Sequence, residues 1–403
     1  MPELQDYEHY GGSFPTTAAI AGALAHEGVT APHTGRPYTE ALLMGIAGGA
    51  AFGYFVFAYE GYDPQVNILT RNTFHNYGWD PLTERLRLEQ DVIHSTTEAA
   101  ARGKLIETLE AGRAPVLWAD VFSLGYESSD LGAGMWLMQP MVVTAYEPDG
   151  EALAADRSAV PIRIPAALLD EARGKVKKEK HRLVTLEAPD EPDLAAAVRA
   201  GIRDAVELFS GKPPRGSANN FGTRAYDRWI TALRKPTSKG GWTTSFPPGR
   251  PLFAGLTSAF RYALQFWEDD SRTADRELFA SFLEEAAIIL NDRSLGSLAA
   301  EFRAAGALWH ELGGLLLPDG VPLLCEAREL LTERHERFLA SGNRELDRLQ
   351  EVDARMEELR RQADSELADP DTAMQVMTAV ADGLEPIRDA EAEAFAHLAE
   401  VAG

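Results

Sequence analysis

Hydrophobic and polar positions follow two different rules along this chain. As far as roughly residue 190, short apolar runs are broken by turn residues. Beyond that point apolar positions recur at three- and four-residue steps, the period of amphipathic helices. In the first part, residues 16–26 predict a short buried helix that Ser13 or Thr16 can cap and Gly28 can end. Thr39 and Glu40 open a second helix over 38–45. Gly45, Gly48, Gly49 and Gly53 then punctuate a tight apolar passage, expected to let it pack closely on the 16–26 helix. Residues 52–59 are aromatic and β-branched enough for a strand. An amphipathic helix over 96–111 ends at Gly112, and a buried strand follows at 114–121. A strand over 141–146 turns at Glu147-Pro148-Asp149-Gly150 into a strand over 151–156. A helix over 165–173 leads to the basic run Lys175 to Arg182, read as a solvated helix face.

Residues 188–193 are polar and contain two prolines, and they set the expected boundary between a domain of 1–190 and one of 194–403. Helices are predicted over 193–210, 221–234, 251–268, 273–291, 294–312, 320–340, 343–367 and 370–400. Gly240-Gly241-Trp242 separates the second from the third. The last three are long and acidic, suited to an antiparallel hairpin or a coiled-coil arm. Leu346, Leu349, Val352, Met356 and Leu359 form a stripe that demands a partner helix, in this chain or another.

With 403 residues, 45% hydrophobic and 25% charged, the composition is that of a globular protein of two domains. Net charge is −23, which argues against unaided nucleic-acid binding and against docking on an acidic membrane. It suits a cationic, amine-bearing small molecule, although acidity more often serves solubility. No apolar run is long enough for a membrane span, and the opening MPELQDYEHY lacks the basic start of a signal peptide. Cys325 is the single cysteine, so no intramolecular disulfide can form, in keeping with a cytoplasmic location. Nothing in the residues points to a metal or an organic cofactor.

The segment Gly12-Ser13-Phe14-Pro15-Thr16-Thr17-Ala18-Ala19-Ile20, followed by Tyr38 to Phe55, resembles the opening of the butirosin-biosynthesis acyltransferase family. Gly112-Arg113-Ala114-Pro115-Val116-Leu117, the strand Met141 to Tyr146, and Ala154-Ala155-Asp156-Arg157-Ser158 resemble later elements of its N-terminal domain. Arg276 to Ala287 resembles the core of the helical domain usually fused to it. The resemblance implies an α+β fold: a papain-like, cysteine-protease-type N-terminal domain with an all-helical C-terminal domain. It also implies acyl transfer from a carrier-protein thioester to an amine. That chemistry needs a thiolate at a helix N-terminus, a histidine base, an acidic orienter and oxyanion donors. Carried over residue by residue, the nucleophile position falls on or within a residue of Phe14, and the histidine position on Gln139. The orienter survives as Asp156.

Ser13 and Thr16 are therefore the hydroxyl candidates nearest the expected nucleophile, with His9, His26 and His94 as the histidines nearest in sequence. Gln139, Asp120, Trp118, Tyr126 and Trp136 are candidates to line a binding cleft, and Trp229, Trp242 and Trp267 extend that aromatic set. Three functions fit. The first is a catalytically degenerate homologue that binds a small molecule, an acyl carrier protein or a partner enzyme, with Phe14 in the nucleophile's place. The second is an active amide-forming acyltransferase with a hydroxyl nucleophile, which requires Ser13 or Thr16 beside a histidine and near Asp156. The third is an assembly protein that forms a homo-oligomer through its C-terminal helices.

Overall fold

The computed structural model describes residues 1–127, 136–189, 192–211, 213–214, 216–264 and 272–402. Trp267 and the end of the helix expected over 251–268 lie outside the described residues. In chain order the elements are α1 (Pro15–His26), α2 (Glu40–Ile46), β1 (Ala50–Phe57), β2 (Gln65–Arg71), α3 (Phe74–Tyr77), α4 (Trp79–Arg85), β3 (Glu89–Ile93), α5 (Glu98–Glu110), β4 (Val116–Asp120), β5 (Met138–Tyr146), β6 (Glu151–Ala155), β7 (Ile162–Pro165), α6 (Ala166–Gly174), β8 (Leu183–Glu187), α7 (Leu194–Val206), α8 (Gly222–Arg234), α9 (Trp242–Ser245), α10 (Arg250–Leu264), α11 (Arg276–Ile289), α12 (Arg293–Leu316), α13 (Pro322–Ser341), α14 (Leu346–Glu366) and α15 (Pro370–Ala402). The protein is α+β, with a sheet in its N-terminal part and helices throughout the described residues after 194.

The chain forms two compact units. One gathers Met1–Leu43, His75–Leu194 and Glu336–Gln350; the other gathers Met44–Phe74, Ala195–His335 and Glu351–Gly403. Only the break at Leu194 lies beside a polar linker. The other crossings run through α2, α3, α13 and α14.

The sheet unit holds six antiparallel strands in the order β3-β8-β4-β5-β6-β7. β4 and β5 are buried along their whole length, and α1 packs across β5. Register pairs Ala119 with Gln139 and Val142 with Ala155. The edge strand β7 is met by the turn after α13. There the Arg163 N–H donates to Asn343 Oδ1 (3.0 Å) while Asn343 Nδ2 donates to the Arg163 carbonyl (2.5 Å). One side-chain amide thus satisfies the edge as a neighbouring strand would. The basic run is not a helix face. After α6 ends it forms a short 3-10 turn over Lys177–Glu179, and Lys180 and His181 both take positive φ.

In the helical unit β1 and β2 pair as an antiparallel ribbon. The ribbon is apolar on its core side: Phe52 stacks on Tyr226 (3.6 Å) and Tyr54 on Trp229 (5.1 Å). Gly45 and Gly49 do not serve the 16–26 helix. A Cβ at Gly45 would lie 2.0 Å from the Phe282 ring, and one at Gly49 2.4 Å from Phe279. Their freedom is spent inside the helical unit, where aromatic rings of α11 sit against bare backbone. Helices α13 and α14 run as a hairpin tied by Arg334–Asp353 (2.6 Å) and Arg355–Glu326 (2.6 Å). Leu349, Val352 and Leu359 of the expected stripe are each 1% exposed, while Leu346 and Met356 are half-buried, so most of the stripe is covered within this chain.

Candidate functional site

Helix α1 begins at Pro15, where the missing N–H of proline costs nothing. Its N-cap residue is Phe14, which has no side-chain acceptor, so neither Ser13 nor Thr16 is the cap. The acceptor comes from α2. Glu40 Oε2 accepts from the Ser13 N–H (2.6 Å) and from Ser13 Oγ (3.3 Å). Glu40 Oε1 accepts from the Phe14 N–H (3.3 Å) and from Thr17 Oγ1 (2.5 Å). One carboxylate thus accepts the Ser13 and Phe14 N–H groups beside the positive end of the α1 dipole, which favours an anion there. Gly12, at φ +138°, makes this approach possible, because a Cβ there would lie 3.1 Å from Glu40 Oε2 and 2.5 Å from Ala18 Cβ. Ser13, Phe14, Thr16 and Thr17 are all buried.

The histidines nearest in sequence stand elsewhere. His26 is the last residue of α1, about 16 Å along the axis from Pro15. Its Nε2 meets the Gly112 carbonyl (3.2 Å), and Tyr7 packs on both His9 and His26. Burial, and then the nearby His26, hold the His9 pKa below its ordinary value. His94 is exposed just after β3.

Asp156 belongs to a separate buried cluster. It accepts from Tyr126 Oη (3.1 Å) and from the Arg157 N–H (2.7 Å), and Arg157 also pairs with Glu127. The Phe338 ring stacks on Tyr126 (5.6 Å) and lies under the Arg157 guanidinium (5.0 Å). Burial, then the Asp156 charge, push the Tyr126 hydroxyl well above its ordinary range. Ser13 thus contacts Glu40, while Asp156 contacts Tyr126 and Arg157.

The cleft candidates are mostly packed. Asp120 is satisfied by Ser123 Oγ (2.6 Å) and the Leu137 N–H (2.7 Å), which fixes the turn after β4. Trp118 lies edge-on to Trp79 (4.8 Å) beneath the Arg182 guanidinium (4.0 Å). Trp136 is half exposed, and Trp229 and Trp242 belong to the core of the helical unit. Gln139 is 4% exposed, and its Oε1 has no hydrogen-bond partner among the described residues. The same is true of other buried acceptors, Asn67 Oδ1 and Asp170 Oδ1 among them.

Cys325 sits on α13, 3.6 Å from Asp319 and 3.8 Å from Glu329. Desolvation, then the hydrogen bond to Asp319 and the Glu329 charge, raise its pKa, the reverse of what a nucleophilic thiol needs. A cleft of about 400 Å³ opens nearby in the helical unit, over Phe260 and Leu264 and beside Gly314. No group of three or more potential ligands suited to a metal ion occurs among the described residues. Nor is any described helix long and apolar enough to cross a membrane.

Glu40 is the contact at the start of α1 that sequence reasoning missed. Read alone it is an ordinary acidic opening to a helix. Nothing in its spacing shows that it reaches back 26 residues to the start of α1.

These features define an α+β protein built around a helix on an antiparallel sheet, with the helix start closed by an internal carboxylate. Residues 15–157 match the family model for butirosin biosynthesis protein H, N-terminal, and over this part the chain is similar to that family. No curated protein matches the chain significantly.

Proposed function

We propose that this chain is a noncatalytic relative of the carrier-protein-dependent acyltransferases, retaining a papain-like frame to bind a small molecule or a partner protein. The observation that carries this reading is the Glu40 carboxylate on the N–H groups of Ser13 and Phe14. In the chemistry implied by the family, that helix end stabilises a thiolate. Here it is neutralised from within, the cysteine and histidine positions hold Phe14 and Gln139, and Asp156 is engaged by Tyr126 and Arg157. Losing any one member of such a catalytic set removes most of the rate, so the joint loss weighs heavily.

The hydroxyl-nucleophile reading has one observation in its favour, the contact of Ser13 Oγ with Glu40 at 3.3 Å. The same carboxylate is already engaged by two backbone N–H groups and by Thr17 Oγ1. The purified chain is incubated with acyl thioesters and a panel of amines and followed by mass spectrometry. The expected result is neither an acyl adduct on the protein nor an amide product. Turnover abolished by Ser13→Ala or Thr16→Ala would overturn the proposal. Turnover gained by the double variant Phe14→Cys, Gln139→His would support a binding site that has lost only its chemistry.

A further inference from the structure

The chain contains 31 arginines and only eight lysines, and four of those lysines fall within six residues: Lys175, Lys177, Lys178 and Lys180. The two cations are used differently. Many arginines are tied to the chain's own carboxylates, as at Arg303, Arg334 and Arg355. The four lysines are exposed, and the ion pair among them is Lys178 with its neighbour Glu179 at 3.8 Å. They sit on a turn that the fold holds firmly. Lys180 and His181 adopt positive φ, a region that residues with a side chain avoid. The turn is clamped on both sides: the Ser95 N–H donates to the Lys180 carbonyl (2.8 Å), and Arg173 donates to the His181 carbonyl (3.3 Å). Arg182 completes the clamp with its guanidinium over the Trp118 ring, 4.0 Å from the centroid.

We infer that this lysine turn, between α6 and β8, is a docking surface for a partner protein that carries a compact acidic patch. The charge pattern selects that partner. At physiological salt the field of the four lysines reaches only about 8 Å before it is screened. A small acidic patch would meet the turn and little else. An extended polyanion or an anionic bilayer would also meet the rest of a chain whose net charge is −23. The rigid turn presents the charges without further ordering on binding. This inference does not depend on whether α1 supports catalysis.

The test is fluorescence anisotropy with a labelled, glutamate-rich helical peptide and the full chain. We expect binding that weakens as salt is raised. Replacing the four lysines by glutamine should weaken it roughly tenfold or more, the sum of four exposed ion pairs. Replacing the same four by arginine should restore binding. Replacing Lys104, Lys235 and Lys239 by glutamine should leave it unchanged, and melting temperatures confirm that every variant is folded. Equal peptide binding by the wild type and the glutamine variant would overturn the inference. So would tighter binding of phosphatidylserine vesicles or single-stranded DNA through the same four lysines.

Discussion

Replacing Glu391 by alanine removes four hydrogen bonds from the centre of the helical unit at once. Glu391 Oε1 accepts from Arg276 Nε (2.7 Å) and Trp309 Nε1 (2.8 Å), and Oε2 accepts from Arg276 Nη2 (3.0 Å) and Tyr226 Oη (2.9 Å). The remaining Arg276 donors reach the carbonyls of Thr70, Ala274 and Ala51, so all five of its N–H groups are used. Arg276 and Glu391 are both fully buried. Burial opposes the Arg276 charge, and Glu391 outweighs it and keeps the pKa above its ordinary value. Breaking a buried pair from one side costs about 3–5 kcal/mol. The orphaned Tyr226 and Trp309 donors add roughly 1–3 kcal/mol each. Water entering the gap recovers part of this sum, so a loss of at least about 4 kcal/mol is expected, set against a typical stability of about 5–15 kcal/mol. For a unit of this size that corresponds to a fall in Tm of roughly 8–16 °C or more. Calorimetry and urea titration of the full chain measure it. The double variant Arg276→Met, Glu391→Leu should not recover wild-type stability, because three buried carbonyls lose their donor. A loss below about 1 kcal/mol for Glu391→Ala would refute this account of the core.

Other outcomes follow from single contacts. Gly45→Ala should destabilise by about 1–3 kcal/mol in thermal melts, because the added methyl would overlap the Phe282 ring. Arg173 is also buried, but among the described residues it donates to two backbone carbonyls, at 3.5 and 3.3 Å, and burial lowers its pKa to about 10. Arg173→Met should therefore change stability by less than about 1 kcal/mol or raise it, and a loss above about 3 kcal/mol would show that the charge is well paired. The pKa of His9 is held below 6.5 in the folded chain, so the unfolded chain binds the proton more readily. Its contribution is present above about pH 6.5 and is lost as the pH falls below that value. The fall in urea midpoint between about pH 7.5 and pH 5.5 should be smaller in His9→Asn than in the wild type, and an equal fall would refute the assignment.

Much of the helical architecture was legible because amphipathic periodicity survives burial. The predicted helix over 343–367 is observed as Leu346–Glu366, and that over 370–400 as Pro370–Ala402. Strands were read where they were long and apolar, as at β4 and β5. β2, β3, β7 and β8 were missed: β3 is short and almost wholly exposed, and β8 follows a lysine-rich turn that reads as helix. The crossings at Met44 and Glu336 left no mark, because both lie within or beside helices and their placement depends on contacts distant in sequence. The same limit applies to the site. The absence of cysteine and histidine could be read from residues alone, but the closure of α1 by Glu40 is a tertiary contact between elements that each look ordinary.

The closed end of α1 can be titrated directly. In a Cys325→Ser background, Ser13→Cys introduces a single thiol beside Glu40, and thiolate absorbance against pH gives its pKa. With Glu40 in place the thiol should titrate above the ordinary value of about 8.5. Adding Glu40→Gln should lower it by roughly one unit or more, as the helix end becomes available to the thiolate. A thiol titrating below about 7 with Glu40 still present would mean that this helix end already favours an anionic nucleophile, and would contradict the noncatalytic reading.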